Sequence, residues 1–184
     1  MKTKIGNVRL AFPNLFKAAA IGDGEPHFSA AFVIEPGSAN AKALKAAVEA
    51  VAKEKWADKA AGVLKELRSK GRVCYKEEPL SKDGDVYDGF EDMHSLNASN
   101  KARPTILNRD KTPLTEQDGL PYAGCYVNAV LDIWAQDNSF GKRVNCTLSG
   151  VQFAGEGEAF GGGRPASTDD FDDLDEGADS DDLG

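Results

Sequence analysis

The chain has 184 residues and a formal net charge of −8, but the charge is unevenly placed. Residues 165–184 carry nine acids and no base, which leaves 21 acids against 22 Lys and Arg in residues 1–164, a net charge of +1. This excludes a uniformly acidic protein and sets a near-neutral body, large enough for one core, beside a polyanionic segment.

The first predicted strand is "KIGNVRLAF" (4–12), with Val8, Leu10 and Phe12 on one side. "NLFKAAAIGDGEP" follows as a connection ending in turn residues, and "HFSAAFVIE" (27–35) is a second strand, apolar on both faces and therefore central. From Ser38, an N-cap, Leu44, Ala47, Val48 and Val51 recur at helical spacing, and Trp56, Ala60, Val63, Leu64 and Leu67 continue the stripe until Gly71. This predicts about two helices whose apolar stripe packs on a sheet. "RVCYKE" is a short strand, Asp83-Gly84 can close a hairpin, and Pro104 confines the extended "MHSLNASNKARPTILN" to a strand end or an edge.

The clearest pair is "YAGCYVNAVLDIWAQDN" and "VNCTLSGVQF", joined through "SFGKR". Val127, Ala129, Leu131, Ile133 and Ala135 form an apolar row in the first arm, and Val144, Cys146 and Leu148 form one in the second. A turn at "NSFG" pairs Asp137 with Lys142, Ala135 with Val144, Ile133 with Cys146 and Leu131 with Leu148, which puts both rows on one face. The opposite face then carries Tyr126, Trp134 and Gln136 against Arg143, Asn145, Thr147, Ser149 and Val151. Past residue 154 the chain becomes Gly-rich and then acidic, so the domain is drawn as 1–154 and residues 155–184 as a disordered tail.

No constellation for catalysis is apparent, and the chain is not read as an enzyme. His27 and His94 lack ligand partners at metal spacing, so neither a metal nor a cofactor is expected. "DGDVYDGFED" lacks the spacing and closing Glu of a calcium loop, and "GGG" at 161–163 follows no strand. Cys74, Cys125 and Cys146 read as reduced thiols of a cytosolic protein. No apolar segment is long enough for a membrane span or a leader, which implies a soluble, unexported chain without a membrane partner.

What remains is binding chemistry. Trp134 and Tyr126 on a polar face beside Asn145 and Arg143 suit unpaired bases, which stack on aromatics while cations, Lys142 at the turn among them, take the phosphates. Trp134 packed under a loop or the helices is an equal alternative on this hairpin alone. Lys101, Arg103, Arg109 and Lys111 in "NKARPTILNRDK", against Asp110 only, supply either an electrostatic groove or a solvated loop.

The segments "RLAFPNLF", "NKARPTILNRDKTPL", "YVNAVLDIWAQDN" and "GKRVNCTLSGVQF" resemble a family of bacteriophage-encoded single-stranded DNA-binding proteins, from about Arg9 to Phe153. The resemblance implies a mainly β chain built on an OB-fold-like five-stranded barrel, sequence-independent binding of single strands, and a place in phage DNA replication or recombination in the cytoplasm of the infected host. A homo-oligomer is possible. It also gives the tail a role. Asp169, Asp170, Phe171, Asp172, Asp173, Asp175, Asp181 and Asp182 would recruit replication or recombination proteins and compete with DNA for the groove. The chain nevertheless ends in "DSDDLG" with Phe171 well inside, unlike the acidic-aromatic tip of bacterial proteins of this kind. The alternative is a protein-interaction scaffold or nucleic-acid mimic acting through the tail. A minimal OB barrel carries its helix between the third and fourth strands. Here the helical segment follows the second, so a strand lies unrecognised or the helices are an elaboration.

Overall fold

Bulges shape the first strand. In the computed structural model, which describes residues 1–20 and 22–160, β1 runs from Lys2 to Ala19 and absorbs most of the connection expected after Phe12. Its register against neighbouring strands shifts between Ile5 and Val8, between Ala11 and Asn14, and again between Asn14 and Ala19. Non-glycine residues with positive φ sit at the first two shifts, Asn7 at 53° and Phe12 at 47°. Each bulge reverses the alternation of side chains. Ile5, Val8, Leu10 and Leu15 therefore all reach the core, whereas Phe12, expected beside Val8 and Leu10, stands out of it at 49% exposure.

β2 (His27–Ile34) is central as its two apolar faces suggest, antiparallel to β1 and to β6 (His94–Asn100). β8 (Tyr126–Asn138) pairs with β1 and β9 (Gly141–Gly155). A bridge between Ser99 and Thr147 joins β6 to β9 and closes a five-stranded barrel in the order β6-β2-β1-β8-β9. Short strands decorate it. β3 (Tyr75–Lys76) extends β6, β4 (Ser81–Lys82) and β5 (Asp85–Val86) form a hairpin, and β7 (Thr105–Leu107) runs parallel to β9. Asp83 and Gly84 both take the positive φ that a two-residue hairpin turn demands, and Pro104 directly precedes the edge strand β7.

The helical segment folds as α1 (Ala39–Trp56) and α2 (Ala60–Ser69), separated by a 3-10 turn. The Ser38 hydroxyl accepts from the Ala41 N–H at 3.2 Å as the N-cap, and Gly71 ends the segment with φ 68°. Both helices enter after the second barrel strand and before the third, so they elaborate the barrel at an unusual point in the chain. Leu44, Val48, Val51 and Ala52 of α1 join Leu10, Phe32, Ile34, Leu96, Leu131, Ile133 and Leu148 in the main core. Trp56, 8% exposed, donates its indole N–H to Asp137 Oδ2 at 2.9 Å and ties the end of α1 to the β8–β9 hairpin.

That hairpin has the register expected from its alternation, from Asp137–Lys142 through Ala135–Val144 and Ile133–Cys146 to Leu131–Leu148. Beyond Leu148 the pattern breaks. Val130 pairs with Gly150, so Ser149 is an extra residue in β9. Val151, assigned by simple alternation to the polar face, consequently turns inward and is 2% exposed.

β9 ends at Gly155, and residues 156–160 lie along the body. The Phe160 N–H donates to the Ala123 carbonyl at 3.1 Å, and the Arg9 guanidinium lies 4.1 Å from the Phe160 ring centre while donating to the Glu158 carbonyl. Phe160 also completes a small second cluster with Ala11, Ala31, Val33 and Phe90. The acidic residues from Asp169 to Asp182, with Phe171, lie outside the described residues.

Candidate nucleic-acid interface

Closure of the barrel creates a surface that no single segment contains. One register line crosses four strands: Asn14 of β1 pairs with Ser29 of β2, Ser29 with Ser99 of β6, and Ser99 with Thr147 of β9. All four side chains line a groove of about 1140 Å3. Ala31 of β2 and Asn97 of β6, paired on a neighbouring line, line it as well. The floor is therefore made of small polar and small apolar side chains, low enough for a planar group to lie across it.

Aromatic side chains stand at both ends. On the β8 side, Trp134 is 41% exposed and donates its indole N–H to Thr147 Oγ1 at 3.0 Å, which orients the ring over the outer face. Beside it, Asn145 donates to Gln136 Oε1 at 2.9 Å. On the β1 side, Phe12 meets Tyr87 edge-on, with ring centres 4.7 Å apart and planes at 70°. The bulge that turns Phe12 away from the core is what delivers it here. An L-residue with positive φ carries backbone strain, and such strain concentrates at binding and switch positions.

The rim is basic. Arg72, Lys76, Lys82, Lys101 and Arg143 line the groove, and among the described residues no Asp or Glu does. Lys101 pairs with Glu25 at 3.1 Å, but both side chains are more than 70% exposed, so the pair is weak and yields readily to a stronger anion. The floor also holds Cys74 and Cys146. The Cys146 thiol hydrogen-bonds to Cys74 and holds the Cys74 thiol below its ordinary range, while that same bond, together with burial, pushes Cys146 well above it. All three cysteines are free.

Of the residues singled out from sequence, the groove gathers Trp134, Asn145, Arg143 and Lys101. The others lie elsewhere. Lys142 is exposed at the hairpin, one residue outside the lining. Tyr126 is half-buried at the far end of β8, its ring centre 6.0 Å from the Arg9 guanidinium. Arg103 donates to the Phe16 carbonyl at 3.0 Å, and Arg109 and Lys111 occupy an exposed turn after β7. Sequence reasoning missed Arg72, Lys76, Lys82, Phe12 and Tyr87. The cations come from three separated positions in turns and two-residue strands, and Phe12 is hidden by its bulge. The "FP" pair at the end of an alternating strand was the available signal.

Among the described residues no group of three or more His, Cys, Asp or Glu side chains could hold a metal ion. No helix among them is long and apolar enough to cross a membrane.

A family model described as the ssDNA-binding protein of Enterobacter phage Enc34 matches residues 1–183. Protein p50 of Acyrthosiphon pisum secondary endosymbiont phage 1 is 41% identical over 178 residues, covering 95% of this chain and 94% of that protein. Among solved structures, the single-stranded DNA-binding protein from bacteriophage Enc34 in complex with ssDNA matches with a TM-score of 0.62 at 24% identity, covering 87% of this chain and 89% of that one. The single-stranded DNA-binding protein gp2.5 of bacteriophage T7 matches with a TM-score of 0.55 at 8% identity, over 91% of this chain and 97% of that one, a likeness of fold.

Proposed function

The chain belongs to the family of the Enterobacter phage Enc34 ssDNA-binding protein, and from that premise we propose that its barrel groove binds single strands by stacking and phosphate contacts. Bases lie across the floor of Asn14, Ser29, Ser99 and Thr147, with Trp134 stacking at one end and Phe12 with Tyr87 at the other. Arg72, Lys76, Lys82, Lys101 and Arg143 take phosphates. The observation that carries this reading is a groove lined, among the described residues, by five cations and no carboxylate, set between exposed aromatics. Every base has a π-face, so stacking is tolerant of sequence. Short hydroxyl and amide side chains can serve as donor or acceptor, so the floor does not favour one base.

The biological role that fits is coating of single strands during phage DNA replication or recombination. The nine acids of residues 165–184 compete with DNA for the same cations and offer a basic partner protein a handle. The scaffold or mimic alternative leaves the basic groove without a purpose.

Salt titration of oligonucleotide affinity is the test. Removing each groove cation in turn lowers the slope of log K against log salt by about 0.7 per lost phosphate contact, for any base composition. Arg109→Ala and Lys111→Ala, outside the groove, leave the slope where it was. A slope unchanged across the groove set places the strand elsewhere, and no binding at low salt supports the scaffold.

A further inference from the structure

The barrel carries an exposed aromatic knob and an apolar hollow at opposite ends of the groove. The knob is Phe140, 86% exposed at the tip of the β8–β9 hairpin. Its backbone N–H donates to Asn138 Oδ1 at 2.9 Å, and Gly141 beside it takes φ 106°, so a braced turn presents the ring to solvent. The hollow, about 650 Å3, is lined chiefly by Phe12, Pro13, Phe16, Val86, Leu120 and Tyr122. It lies beyond the β1 end of the groove and shares Phe12 and Tyr87 with it, whereas Gln136 and Arg143, near the knob, line the other end. A phenyl ring left almost wholly in water at a hairpin tip loses the stabilisation that burial would bring.

We propose that Phe140 of one copy inserts into the hollow of the next, joining copies head to tail. Charge favours this occupant. Lys142 and Arg143 follow the knob, and Asp88 and Glu116 lie in the lining of the hollow. Glu116 is 3.4 Å from Lys17, an exposed pair that leaves its charge available. The chain's own acidic segment would meet those same carboxylates as like charges. Knob and hole are different patches, so the contact is heterologous and extends into a row rather than closing a dimer. Each groove then ends where the next begins, and a strand passing Phe12 and Tyr87 of one copy comes to Arg143 and Trp134 of its neighbour.

The test uses the full chain with Phe140→Ser and, on the exposed rim of the hollow, Val86→Gln, both checked for an unchanged thermal midpoint. On a long homopolymeric strand each variant lowers the cooperativity of binding by on the order of tenfold to a hundredfold, the equivalent of one buried aromatic side chain. Affinity for an oligonucleotide too short for two copies stays the same. An equimolar mixture of the two variants stops at pairs, because one lacks the knob and the other the hole. Sedimentation without DNA, at rising concentration, shows self-association of the wild type that Phe140→Ser removes, which keeps this contact separable from the strand-binding reading. Weakened binding of the short oligonucleotide by Phe140→Ser makes Phe140 a DNA contact and overturns the proposal. Unchanged cooperativity in both variants overturns it as well, as does a loss seen with Val86→Gln alone, which gives the hollow to another segment.

Discussion

Trp134→Ala separates binding from stability most sharply. A whole Trp presents roughly 250 Å2, so 41% exposure leaves on the order of 100 Å2 for a base to cover. At about 25 cal/mol per Å2 this is about 2.5 kcal/mol, within the roughly 1–3 kcal/mol found per stacked base. Ordering of the base offsets part of it, so the expected loss is about 2 kcal/mol, or about 30-fold in Kd. Stability changes little, by about 1 kcal/mol, since the side chain sits on the outer face and its hydrogen bond to Thr147 is exposed. The control is the other tryptophan. Trp56 is 8% exposed and bonded to Asp137, so Trp56→Ala costs about 3–5 kcal/mol of fold stability. The chain has only these two tryptophans, so fluorescence of Trp56→Phe reports Trp134 alone, and an added oligonucleotide quenches it. A melting temperature that falls for Trp134→Ala as it does for Trp56→Ala refutes the reasoning, and so does an affinity within twofold of wild type.

Phe12→Gly removes the second stacking platform and also relieves the positive φ of 47°. Oligonucleotide affinity drops by about 1–3 kcal/mol, while the thermal midpoint holds, because the relief of about 1–2 kcal/mol offsets the roughly 0.5–1 kcal/mol entropic cost of glycine. Alkylation followed by mass spectrometry at neutral pH labels Cys74 first, because the thiolate is the nucleophile. The Cys74 thiol is held low by Cys146, Cys125 is pushed by burial to about 11, and Cys146 is higher than its ordinary value. Bound oligonucleotide slows that labelling, since Cys74 lines the groove, and equal labelling of Cys125 contradicts the assignment. Deleting residues 165–184 tightens single-strand binding at low salt, and the gain shrinks as salt screens both polyanions. Unchanged low-salt affinity in the truncated chain removes the competition role.

Much of this molecule is legible in one dimension. The hairpin register follows from two apolar rows of period two that share a face only when Asp137 pairs with Lys142. The helices follow from Ser38, the spacing of Leu44, Val48 and Val51, and Gly71. The separation of a near-neutral body from nine terminal acids is a property of composition alone. These features are local, so a short window of side chains contains their cause. The tertiary structure decided the rest. Inserted residues, among them those in β1 near Asn7 and Phe12 and in β9 at Ser149, reverse the alternation that a period-two reading assumes. They bury Val151 and bring Phe12 out beside Tyr87. The groove itself exists only because Ser99 meets Thr147 across the closing seam. That contact sets Arg72, Lys76, Lys82 and Lys101 around a floor contributed by strands far apart in the chain. Alternation specifies which face a side chain takes, but which strands become neighbours is settled by non-local pairing around a shared core, and it is that pairing which turns scattered cations into one rim.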